Sequence, residues 1–167
     1  AASAISGKID YDWKNKEHRE LKGSIKINEK KTGTKSSVKI INGFKPIVEG
    51  ELIFCHQDNM NTDGIYPGKY TYNDEMTPQQ QAEVAMENYD PEFVKITNVG
   101  DILVGGFNFG TGSSREQAAT ALKYKGIQLV VAGTFNETYK RNALNNGYLL
   151  IECPQLVNEL KAKYGKD

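Results

Sequence analysis

Cysteine is scarce: Cys55 and Cys153, far apart in the chain, are the only two among 167 residues. Two lone thiols give neither a disulfide framework nor a zinc motif. An iron–sulfur cluster takes about four cysteine thiolates at set spacings, so this chain cannot hold one by itself. His18 and His56 are distant from each other and lack a third close ligand, which leaves no metal site to assign. Charge of one sign is missing too. The 21 basic and 21 acidic residues cancel, so no positive field exists to neutralise nucleic-acid phosphates or to bind an anionic membrane surface. Long hydrophobic runs are absent. The stretch 127–132 is broken by Gln128 and falls far short of the roughly 20 residues that span a bilayer. The opening residues 1–7 have neither the basic start nor the apolar core of a secretory signal.

What is present has the composition of a globular protein, 38% apolar and 25% charged, at a length that fits one compact domain. Residues 1–20 read as a charged lead-in and 21–167 as the folded domain. Leu21, Ile25 and Ile27 alternate, as do Val38 and Ile40, which predicts two strands joined by a loop around residues 28–33. Residues 46–55 read as a buried strand that runs into turn formers, from His56 to Gly64 and then Pro67-Gly68, so a long irregular loop follows. Thr77-Pro78 caps a helix over 79–87. Beyond it, strands at 101–104, 127–132 and 148–151 alternate with helices at 115–125, 137–145 and 154–164. The second half is thus α/β with parallel pairing, while the first half looks antiparallel.

Gly105, Gly106, Gly110 and Gly112 crowd the stretch just before the 115–125 helix, where glycines let backbone approach a ligand closely. Amides at 112–114, the helix dipole and Arg115 would then converge on a carboxylate or phosphate. A local alternative stands beside this reading. Ser113 with Glu116 three residues on is also a capping box. Phosphate-loop patterns fit poorly, since Gly110 is followed by Thr111 rather than Lys, and Arg115 stands where a dinucleotide fingerprint needs its third glycine.

The whole string Asn108-Phe109-Gly110-Thr111-Gly112-Ser113-Ser114-Arg115-Glu116-Gln117 resembles the Gly-Ser-Ser-Arg-Glu signature of the aconitase family's swivelling domain. In the same order, the segment from Asp58 to Pro67 resembles that family's Asp-Asn-x-x-Thr-Asp loop, and the segment from Tyr139 to Gly147 its later helix. The resemblance runs from about Ile47 to the end of the chain. It implies an α/β swivelling domain of β/β/α type, with a mixed sheet and flanking helices.

It also implies a hydro-lyase part that isomerises hydroxy acids by removing and re-adding water. Ser113 would be the base, Ser114 and Arg115 would hold a substrate carboxylate, and Asp63 falls on an active-site position. Asp63 can equally end a turn through its own backbone bonds. The family's 4Fe-4S cluster is a Lewis acid bound by three other domains, so this chain would bind none and would be inactive without those partner domains. Thr111 and Gln117, where isopropylmalate isomerase small subunits usually carry Cys and His, resemble the fungal homoaconitase branch instead. So does the loop from Tyr66 to Tyr72, in which Lys69 and Tyr70 would meet the variable end of a tricarboxylic hydroxy acid. That branch implies lysine biosynthesis by the aminoadipate route in the mitochondrial matrix. An isopropylmalate isomerase small subunit and a non-catalytic carboxylate-binding module are the alternatives.

Overall fold

The computed structural model describes residues 47–165. The lead-in expected at 1–20 and the hairpin expected across 21–40 lie outside the described residues. The described elements are, in chain order, β1 (Leu52–Phe54), α1 (Thr62–Ile65), a 3-10 turn (Gly68–Tyr70), α2 (Pro78–Glu83), α3 (Phe93–Ile96), β2 (Ile102–Gly105), α4 (Gln117–Lys125), β3 (Leu129–Ala132), α5 (Glu137–Asn145), β4 (Leu150–Glu152) and α6 (Pro154–Tyr164).

The four strands form one sheet in the order β1-β2-β3-β4, and every pairing is parallel. Its two central strands, Ile-Leu-Val-Gly and Leu-Val-Val-Ala, are buried along their whole length, as continuous apolar runs in a sheet covered on both faces must be. β1 and β4 are the half-exposed edges. The antiparallel part expected of a mixed sheet was predicted at residues outside those described. Leu52–Phe54, in the first half of the chain, joins the parallel set.

Sequential strand order with crossovers of one hand puts all crossing helices on the same face. Leu103, Val130 and Ala132 accordingly pack against Ala118, Ala119, Ala121 and Leu122 of α4 and Tyr139 and Ala143 of α5. The alternate residues Ile102, Val104, Leu129 and Val131 point the other way, where Val157, Leu156 and Leu160 of α6 cover them. The loops that leave the strand ends are therefore gathered at one edge, outside the carboxyl ends of a parallel sheet, which is where ligands bind in such folds.

Two helix limits depart from the sequence pattern. α2 has the predicted Thr77 cap, with Thr77 accepting from Gln80 N and Gln80 reaching back, but it ends at Glu83 although helix formers continue to 87. The chain there takes a left-handed turn at Met86 (φ 61°). α4 begins at Gln117, two residues after the predicted start, and closes at Gly126 as expected.

Candidate active site

The loops after β1 and β2 are zipped together by backbone. Asn59 N donates to Phe107 O (2.8 Å), Gly110 N to Met60 O (2.8 Å) and Thr62 N to Thr111 O (2.8 Å). Side chains reinforce the seam: Asp58 Oδ1 accepts from Phe107 N at 2.6 Å and from Lys161 Nζ of α6 at 2.5 Å. Burial works against the ionised Asp58, yet Lys161 and the Phe107 amide hold its carboxyl below the usual range. The second loop is also tied to the loop after β3, through Phe109 N to Thr134 O and Asn136 N to Phe109 O, both 2.9 Å.

Two glycines make this path possible. Gly110 (φ 79°) and Gly112 (φ 95°) both occupy the left-handed region, and a side chain on Gly110 would run into the Tyr139 ring. The segment between the seam and α4 is thereby held out at the surface. Ser113 and Ser114 are exposed. The Ser113 carbonyl accepts from Thr62 Oγ1 at 2.9 Å, which fixes its backbone, and no hydrogen bond among the described residues engages its hydroxyl.

The capping-box alternative does not form. Glu116 is itself the residue before the helix and makes no cap bond; its Oε1 instead accepts from Asn146 Nδ2 at 2.7 Å. Among the described residues, the N–H groups of 112–116 find no acceptor, so they stand ahead of the positive end of α4 with donors to spare.

Arg115 leaves this loop toward the other one. Its side chain is largely buried, and Nη1 donates to Asp63 Oδ1 (2.8 Å) and Tyr66 O (3.1 Å). Both of its hydrogen bonds among the described residues use Nη1, which leaves Nε and Nη2 for a ligand. Asp63 lies in α1, a four-residue helix capped by Asn61, whose side chain accepts from Gly64 N at 2.7 Å. The Arg115 guanidinium, with the Gly68 amide at 2.8 Å, holds the Asp63 carboxyl below the usual carboxylate range. Asp63 thus both pairs with Arg115 and holds the backbone of the following turn at Gly68, while Asn61 caps α1.

Lys69 and Tyr70 sit on the 3-10 turn that begins at Gly68. Both converge on Glu87: Lys69 Nζ lies 2.5 Å from Oε1 and Tyr70 hydroxyl donates to Oε2 at 3.2 Å. Lys69 also stacks over the Tyr70 ring at 4.8 Å. Among the described residues, no hydrogen bond joins either residue to Ser113 or Ser114. Sequence reasoning missed Glu87 and its neighbour Asn88, whose amide donates to Asp63 O and Oδ2, each at 3.0 Å. Their place at the end of a helix-forming run gave no sign of it.

Cys55 is buried and pushed up in pKa by that burial, Cys153 lies beyond β4, and no group of three potential metal ligands occurs among the described residues.

Residues 23–156 match the family model described as the Aconitase C-terminal domain. The chain is 48% identical to the mitochondrial homoaconitase of Debaryomyces hansenii, over 99% of this chain and 26% of that protein. It is 57% identical to that of Candida glabrata over 79% of this chain and 19% of the relative. The chain therefore spans only about a fifth to a quarter of the length of these curated relatives. Among solved structures, 3-isopropylmalate dehydratase from Methanocaldococcus jannaschii is similar with a TM-score of 0.54 and 40% identity, covering 60% of this chain and 57% of that one.

Proposed function

Because the chain belongs to the aconitase family through its C-terminal domain, we propose that it is the substrate-binding swivel domain of a homoaconitase-like hydro-lyase. The complete enzyme interconverts homocitrate and homoisocitrate through cis-homoaconitate in lysine biosynthesis. Residues 21–167 form the swivel domain and 1–20 lead into it. The relatives are named as mitochondrial, which supports a mitochondrial location; the matrix is part of the proposal.

The observation that carries this reading is the exposed Ser113-Ser114 pair beside Arg115, with unbonded amides behind it and Asp63 setting the guanidinium. Ser113 is the base. In dehydration it takes the proton from the carbon next to a carboxylate, a C=C bond forms, and the hydroxyl leaves the adjacent carbon as hydroxide, for which the cluster-bearing domains would supply the Lewis acid. In hydration Ser113 returns that proton. A serine hydroxyl is too weak an acid to work unaided. Its alkoxide is usable here because amides of 112–116 and the fixed charge of Arg115 stabilise negative charge at the loop. Ser114 and the free Nε and Nη2 of Arg115 hold the carboxylate whose neighbouring proton is taken. Lys69 and Tyr70 meet the variable end of the substrate.

The family's 4Fe-4S cluster would be held by other domains: two cysteines fall short of the thiolates a cluster takes, and no group of three potential metal ligands occurs among the described residues. The partners are the cluster-bearing domains, joined in one longer chain or as a separate large subunit. The 3-isopropylmalate dehydratase neighbour favours a second reading, a role in leucine biosynthesis. Thr111 and Gln117 weigh against it. Combining the chain with its cluster-bearing domains and following hydration of cis-homoaconitate and isopropylmaleate separates the two. Preferential turnover of cis-homoaconitate is expected, and preference for isopropylmaleate, or no turnover of either, would sink the proposal.

A further inference from the structure

Among the described residues, the left-handed Met86 is the one fully buried residue with positive φ outside glycine. Its N–H donates to Ile65 O at 2.8 Å, and its carbonyl accepts from Tyr89 N at 2.9 Å and Asp90 N at 2.8 Å. A β-unbranched but bulky residue held in this region is strained, and such strain persists only where the surroundings over-determine it. Met86 lies three residues past the end of α2, and the next two side chains both reach the loops. Glu87 then clamps Lys69 and Tyr70. Asn88 clamps both the backbone carbonyl and the carboxylate of Asp63, and so acts on Arg115.

We propose that Glu87 and Asn88 are positioning residues of the site: successive side chains that set the Lys69-Tyr70 turn and the Asp63-Arg115 pair from one anchored bend. The proposal rests on the functional reading above. Neither residue needs to touch substrate. Glu87 restrains a flexible lysine and a tyrosine that would otherwise sample many rotamers, so removing it weakens binding at the variable end and spares proton transfer at Ser113. Asn88 fixes the carboxylate that orients Arg115, so its loss is felt where the common carboxylate is held.

The test uses the complete enzyme with its cluster-bearing domains, cis-homoaconitate as substrate, and thermal unfolding of every variant. Glu87→Ala raises KM about tenfold with kcat changed less than about threefold, and Glu87→Gln, whose single carbonyl oxygen can still accept from Lys69 while its NH2 donates to the Tyr70 oxygen, recovers part of the loss. In a Lys69→Ala/Tyr70→Phe background, Glu87→Ala adds nothing further to KM. Asn88→Ala lowers kcat/KM about tenfold but costs clearly less in an Asp63→Ala background, where only its bond to the residue-63 carbonyl is left to lose. An unchanged KM in Glu87→Ala, or full additivity in either background, overturns the proposal. Wild-type enzyme that is inactive, or unaffected by Ser113→Ala, overturns the functional reading instead. In that event the same pairs are judged by their thermal shifts, where non-additivity supports the positioning role and additivity overturns it.

Discussion

Arg115 Nη1 lies 2.8 Å from Asp63 Oδ1, an ion pair that joins the loops following two neighbouring parallel strands. It links the serine loop to the turn that carries Lys69 and Tyr70, because Asp63 also accepts from the Gly68 amide. The two halves of the candidate site are set by one carboxylate.

Lysine cannot replace Arg115 in this position. Its single ammonium can follow Asp63 or a substrate carboxylate, but not meet both with the Tyr66 carbonyl as the planar fork does. In the complete enzyme Arg115→Lys should lower kcat/KM about a hundredfold, measured by steady-state kinetics, with little change in the melting temperature of the domain.

Asp63 contributes to stability in a pH-dependent way. Its folded pKa is depressed by Arg115, which stays charged throughout, so the carboxylate stabilises the fold above the unfolded value of about 4 and the effect fades as pH falls through the lower folded value. Asp63→Asn should therefore cost on the order of 1 kcal/mol or less at neutral pH, since the group is half-exposed and screened, and nothing at low pH. Urea unfolding at a series of pH values measures the difference.

At Gly68 even a methyl group intrudes on the pair. A Cβ there would lie 2.9 Å from Asp63 Oδ1 and 3.1 Å from Arg115 Nη2. Gly68→Ala should raise KM several-fold through a displaced guanidinium, while stability falls by about 1 kcal/mol or less.

Gly110→Ala tests the loop's path. The added methyl would press on the buried Tyr139 ring from a backbone that L-residues avoid, so unfolding free energy should fall by about 3 kcal/mol in chemical denaturation.

The buried strands were legible because Ile-Leu-Val and Leu-Val-Val-Ala are apolar throughout, and the helices expected at 137–145 and 154–164 have those bounds in the fold. The serine loop was legible as a place, not as a geometry: only the fold shows Glu116 bonded to Asn146 instead of closing a capping box on Ser113. Asp63, Lys69 and Tyr70 were named from a resemblance, but their partners came from far along the chain. Glu87 and Asn88 look like the tail of an ordinary helix, and the bend at Met86 that redirects them follows from tertiary bonds to Ile65, Tyr89 and Asp90, which no local pattern encodes.

The most direct test of the account is the turnover of cis-homoaconitate by the complete, cluster-loaded enzyme carrying Ser113→Ala. Ser113 is exposed and no hydrogen bond among the described residues engages its hydroxyl, so the variant should fold as the wild type does. A fall in kcat of about a thousandfold with KM nearly unchanged is the predicted result. Retention of wild-type kcat would contradict the assignment of Ser113 as the base.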